Sequence, residues 1–179
     1  MSTSDARRAG WRLLLALLAV LLASSSLSPA AHAQRSSFRS VSAREAARMI
    51  TRENGRVTMV LLYAAYCPHC RTMFPDFVDL AERYRRSGIS VLAFATDDDA
   101  AATDEFVGSQ RLPFARLHIE PWKEGELTKA FEATGIEIGA HFSIPLLAIL
   151  DEDGEVAGQW GGASGVARAE RWLEDHVRS

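Results

Sequence analysis

Apolar and polar positions divide the chain into short runs of two kinds. "RVTMVLLY" (56–63) and "ISVLAFA" (89–95) are almost wholly apolar and rich in β-formers, the pattern of strands covered on both faces. Around them apolar residues recur at helical spacing. In "SAREAARMI" Ser42 stands three residues before Glu45, a capping-box spacing, and Ala46, Met49 and Ile50 share one face. From Cys67, "CPHCRTMFPDFVDLAERYRRSG" sets Phe74, Phe77, Val78, Ala81 and Tyr84 at helical intervals, with Pro75 predicting a kink and Gly88 the end. "AATDEFVGSQ" predicts another helix, followed by a strand near 115–119 and a helix over 126–134. "PLLAILDEDGEVAGQW" reads as a hairpin turning at Asp151-Glu152-Asp153-Gly154, and "GVARAERWLEDHV" as a closing amphipathic helix. After the first helix the order is β, α, β, α, β, α, then β, β, α, which predicts an α/β domain.

The N-terminus has a different pattern. In "ARRAGWRLLLALLAVLLASSSLSPAAHAQ" the basic Arg7, Arg8 and Arg12 precede an unbroken apolar run from 13 to 23. That run is shorter than the about 20 residues a spanning helix needs. Small and polar residues then lead to Ala31-His32-Ala33, which fits a signal-peptidase site. The expected organisation is a signal peptide over 1–33, cleaved after Ala33, and one domain over 34–179. Export follows, to the periplasm if the source is a Gram-negative bacterium. The competing reading is an uncleaved anchor, against which Ser24, Ser25 and Ser26 count by ending the apolar run early.

Charge narrows the partners. The formal net charge is −3, and basic residues are interspersed with acidic ones, so no nucleic-acid footprint is expected. The one acidic run, "ATDDDA", fits the start of a helix better than a metal site.

Both cysteines lie in "YAAYCPHC" (63–70). At the first turn of a helix, residues i and i+3 approach closely enough for Cys67 and Cys70 to close a disulfide with each other. Cys67 would face the unpaired amides and positive dipole end of the helix, which favour a thiolate. Cys70, a turn deeper, would be the more buried sulfur. Pro68 suits a first helical position, and His69 can bring a donor or positive charge toward Cys67. A stapling disulfide is the plainer alternative, but a loop of two intervening residues removes very little chain entropy, so redox chemistry is the better reading.

With these residues in place the sequence resembles the thioredoxin superfamily, and more narrowly the exported TlpA-like thiol-disulfide oxidoreductases. The matching positions are "YAAYCPHC" after a buried strand, Pro75, Ile144-Pro145 before a strand, the "ILDEDGEV" hairpin, and Gly162-Ala163 before the last helix. The resemblance implies a three-layer α/β/α sandwich with a mixed central sheet and an inserted β-α element. It also implies a cis bond before Pro145, with Tyr66, Pro68, Ile144 and Pro145 forming the substrate-binding surface beside catalytic Cys67, Cys70 and His69. No cofactor beyond the redox-active disulfide and no metal are expected. The expected partners are client proteins bearing thiols or disulfides, with a membrane redox donor or acceptor, acting on a monomer.

Cys-Pro-His-Cys itself is similar to the motif of the oxidant DsbA, yet the stretch from Cys70 to Pro145 is too short for that family's helical insertion. The chain departs from thioredoxins in having Leu61 where they carry a buried aspartate, and Met73 where some TlpA-like proteins carry a glutamate. The proton acceptor for Cys70 would then be water or an acid such as Glu120 or Glu137. Two further functions compete with exchange: a copper(I) chaperone holding the metal on Cys67 and Cys70, and a binding scaffold in which the cysteines are dispensable. His118, His141, His176, Trp122, Trp160 and Trp172 are expected to be packing or surface residues.

Overall fold

A computed structural model describes residues 38–108, 110–121, 123, 125–139 and 143–177, which belong to one compact unit, Ser36–Ser179. The signal-peptide segment, and with it Ala33, lies outside the described residues, as do Trp122 and His141. The elements run β1 (Arg39–Val41), α1 (Ala43–Thr51), β2 (Thr58–Tyr63), α2 (Pro68–Tyr84), β3 (Ser90–Ala95), α3 (Ala100–Val107), β4 (Leu117–Ile119), α4 (Glu126–Glu132), β5 (Leu146–Leu150), β6 (Val156–Gly161) and α5 (Gly165–His176). Six strands form one sheet in the order β1-β4-β3-β2-β5-β6. β1, β4, β3 and β2 pair in parallel, whereas β5 is antiparallel to both β2 and β6.

The strand periodicity divides the core into two layers. Met59, Leu61, Tyr63, Ala93, Leu147 and Ile149 face one side and pack with Phe74, Phe77 and Leu80 of α2 and with Val166, Ala169 and Leu173 of α5. Val60, Leu62, Leu92, Phe94, Ala148 and Leu150 face the other and meet Ala46 and Ile50 of α1 and Leu127 and Phe131 of α4. The protein therefore has the thioredoxin-like three-layer α/β fold with a mixed sheet. β4 and α4 form the inserted β-α element: β4 separates β1 from β3 in the sheet, and α4 packs in the α1 layer.

Local chemistry explains the boundaries. Ser42 Oγ accepts from Glu45 N–H at 3.2 Å and caps α1. The Glu45 carboxylate pairs with Arg39 on β1. α2 continues through Pro75 to Tyr84, and a 3₁₀ turn over Arg85–Ser87 carries the chain to Gly88, whose φ of 83° ends it. In the "ATDDDA" run Asp99 Oδ1 accepts from Ala101 N–H at 2.9 Å, capping α3, while Asp97 turns inward. At the β5–β6 hairpin Gly154 has φ 81°, which favours glycine, and a Cβ there would lie 2.5 Å from Asn54 Oδ1, so the Asn54 side chain would have to move aside. β1 is an element that local pattern does not predict: it has three residues, two of them exposed, and exists through its pairing with β4.

Candidate functional site

The site lies where β2 hands over to α2. The buried strand ends at Tyr63, and residues 64–66 turn the chain so that Cys67 becomes the N-cap of α2, with φ −82° and ψ 115°. Pro68 occupies the first helical position, where its missing N–H costs nothing. Cys67 Sγ accepts a hydrogen bond from Cys70 N–H at 3.3 Å. It satisfies one of the amide donors that the helix start leaves unpaired.

Both cysteines are free thiols. Cys67 is 7% exposed and Cys70 1%, so the leading sulfur is the one a partner reaches. The order of burial expected from position in the helix is the order observed. Burial, followed by the hydrogen bond to the Cys67 sulfur, pushes the Cys70 thiol up from 9.0 to about 12. Its folded value lies above the unfolded one, so Cys70 contributes fully to the stability of the reduced fold below pH 9.0 and loses that contribution as pH rises toward 12. The melting temperature of the reduced protein is expected to fall over that window, and Cys70→Ala to flatten the fall. Equal slopes for the two proteins would contradict the assignment.

On the facing side the Ile144–Pro145 peptide is cis, and the Ile144 carbonyl lies 3.5 Å from Cys67 Sγ. Pro145 is buried and its carbonyl accepts from Gly162 N–H at 3.1 Å, which brings the Gly161-Gly162 turn against the same loop. Ile144 is half-buried and packs against both core layers. Tyr66 is 70% exposed, a large apolar surface left open beside the sulfur. Pro68 and His69 are exposed on the first turn of α2. The amide contact to Cys67 therefore comes from the Cys70 backbone, and His69 stands at the rim. Six of the seven residues singled out from the sequence meet here around Cys67 by contact or chain position; the seventh, Pro145, joins them through Ile144.

Leu61 and Met73 are core residues, at 0% and 2% exposure. Glu120 and Glu137 were candidates to receive the Cys70 proton; both are exposed, Glu120 at the end of β4 and Glu137 beside Gln159 of β6. The acid on the buried side of the site is Asp97, which follows β3 and is 3% exposed. It accepts from Ala65 N–H, within the cysteine loop, at 2.9 Å to each carboxylate oxygen. Arg71 donates to the carbonyl of the same Ala65 at 3.0 Å and lies 5.0 Å from the Phe106 ring centre. Sequence reasoning missed both. The available signal was an acid placed directly after a strand buried on both faces, where a solvated cap is least expected.

His118 is buried, and its Nε2 donates to the Asp97 carbonyl at 2.7 Å. His176 stacks on Trp172 in α5. Among the described residues no group of three His, Cys, Asp or Glu could hold a metal.

Comparison with known proteins bears on the family and the fold. The family model Redoxin matches residues 34–170. The thiol-disulfide oxidoreductase ResA of Oceanobacillus iheyensis is 26% identical over 121 residues, covering 68% of this chain and 57% of that protein; the chain thus spans little more than half of its relative. Among solved structures, a thiol:disulfide interchange protein of the thioredoxin family from Chlorobium tepidum superposes with a TM-score of 0.56 at 22% identity, over 70% of this chain and 82% of the other. StoA from Bacillus subtilis gives 0.51 at 18%, over 67% and 84%. A secreted Mycobacterium tuberculosis disulfide oxidoreductase gives 0.53 at 16%, over 70% and 85%. At these identities the structural likenesses speak for the fold.

Proposed function

Because the chain belongs to the Redoxin family, we propose that it is a thiol-disulfide oxidoreductase of the TlpA-like kind, exchanging a Cys67–Cys70 dithiol and disulfide with client proteins. The observation that carries this reading is the seat of Cys67: an N-cap sulfur that accepts an amide hydrogen bond while facing the carbonyl of a cis-proline loop.

In the reductive direction the Cys67 thiolate attacks one sulfur of a client disulfide. A Cys67–client bond forms, the client S–S bond breaks, and the other client sulfur leaves as a thiolate that takes up a proton. Cys70 then attacks Cys67 Sγ, expelling the second client sulfur, which takes up the proton that Cys70 gives up. Two electrons have passed to the client, and the pair is left as a disulfide. Run backward, the same steps oxidise a client dithiol. The raised Cys70 thiol fits the second role, because a protonated, buried sulfur does not compete for the first attack.

The exposed Tyr66 and Pro68 flank Cys67 in the chain and the Ile144 carbonyl faces its sulfur, which suits an extended client segment laid against the Ile144–Pro145 loop. The site is read as acting outside the cytoplasm, on a domain that begins after Ala33. Supporting this are the basic-apolar-small order of the first 33 residues and the likeness to a protein described as secreted. The scheme uses the redox pair alone, with thiol or disulfide proteins as partners.

Trapping tests the scheme. Cys70→Ser in the full chain leaves the first step intact and removes the second, so protein adducts on Cys67 are expected to accumulate and to dissolve on adding dithiothreitol. If no adduct forms under either oxidising or reducing conditions, the chain does not exchange disulfides by this route.

A further inference from the structure

Building on the thiol-disulfide reading, we propose that Asp97 is a positioning residue for the redox pair: it clamps the Ala65 peptide that presents Cys67 and sets a buried negative charge near the pair. The chain from Ala64 to Cys67 has no regular structure of its own to hold it. Cys67 N–H reaches back to the Ala64 carbonyl at 3.2 Å, and the remaining restraint comes from side chains. Asp97 takes the Ala65 N–H on both oxygens, at 2.9 Å each, and Arg71 takes the Ala65 carbonyl at 3.0 Å. Each of these side chains is itself fixed. Thr103 of α3 donates to Asp97 Oδ2 at 2.6 Å, His118 of β4 donates to the Asp97 carbonyl at 2.7 Å, and Arg71 packs on Phe106 of α3. One residue before the exposed Tyr66, the loop is therefore pinned by β3, β4, α2 and α3 together.

The charge has a consequence separate from the clamp. Asp97 is 3% exposed, and its contacts to Ala65 and Thr103 are to an amide and a hydroxyl, neither of which cancels a full charge. Little solvent screens it, and it is one of the charges that help to raise the Cys70 thiol. A negative charge there disfavours any negative charge on the reduced pair, and a disulfide carries none. The charge thus favours the disulfide and makes the dithiol the stronger reductant. Thioredoxins place a buried aspartate on the strand before the cysteines; here that position is Leu61, and the buried acid lies just past the end of the neighbouring strand instead.

Two substitutions separate clamp from charge. Asp97→Asn keeps an oxygen for Ala65 N–H and removes the charge; Asp97→Ala removes both. In equilibria of the full chain with reduced and oxidised glutathione at pH 7, D97N is expected to shift the constant about tenfold toward the dithiol, or about 30 mV. D97A is expected to show that shift and, relative to D97N, a roughly tenfold slower alkylation of Cys67, as the loop loses its anchor. Constants within twofold of the unsubstituted protein for both variants overturn the proposal, even if D97A melts lower, since a purely structural acid moves stability alone. If D97A does not fold, D97N decides. Glutathione needs no client, so a shift without client adducts on Cys70→Ser supports the role of Asp97 and removes the function proposed above. Adducts without a shift do the reverse.

Discussion

Replacing Cys67 with serine is expected to lower the rate of disulfide exchange with a peptide or insulin substrate by on the order of a thousandfold or more, while leaving the fold intact. The argument starts from the helix. An N-cap serine can accept the Cys70 N–H as the sulfur does, and serine is among the preferred N-cap residues, so α2 keeps its start. What is lost is the chemistry: a hydroxyl is not ionised near neutral pH and forms no disulfide. Cys70 cannot substitute, because it is 1% exposed and its thiol is held near 12. Stopped-assay rates on both proteins, with circular dichroism as the fold control, measure the difference. An exchange rate within tenfold of the original would show that Cys67 is not the attacking sulfur.

The second large effect lies far from any solvent. Phe77→Ala is expected to destabilise the protein by about 3 to 5 kcal/mol, read from the midpoint of urea unfolding. Phe77 is fully buried on the face of α2 that meets the sheet, and its ring centre lies 5.5 Å from that of Phe114. Removing it leaves a cavity under the helix whose first turn holds both cysteines. The neighbours offer little chance of collapse, since Phe74, Leu80 and Ala81 are themselves 0 to 1% exposed. The same change on the open face, such as Asp76→Ala, is expected to stay within about 0.5 kcal/mol. Equal effects at the two positions would mean that α2 is not seated on the sheet as described.

Those two residues also show which parts of the molecule could be read from the chain. Phe77 belongs to a helical stripe and β2 and β3 to unbroken apolar runs, so pattern alone located the elements that carry the site. The cysteine pair and the Ile144–Pro145 loop lie far apart in sequence, and their meeting was expected only through family resemblance; the structure brings the Ile144 carbonyl to the Cys67 sulfur. β1 was not legible because two of its three side chains face solvent and its stability comes from a strand almost eighty residues away. The helix expected over 126–134 ends at Glu132, where Thr134 N–H bonds the Phe131 carbonyl in a tighter turn. Asp97 was hidden by its neighbours. Three successive aspartates look alike in one dimension, and only the position of the Ala65 amide decides that the first turns inward while the third caps α3. Glu120 and Glu137 were offered as acids for Cys70 because an acid was needed, with nothing local to choose among them; both face solvent.

The central claim is an asymmetry between two sulfurs one helical turn apart, the first open to attack a partner and the second sealed behind it. It is tested most directly by brief alkylation of the reduced full chain at pH 7 with iodoacetamide, followed by peptide mass mapping. The account predicts label on Cys67 well before any on Cys70. Equal labelling of the two, or Cys70 labelled first, would contradict it.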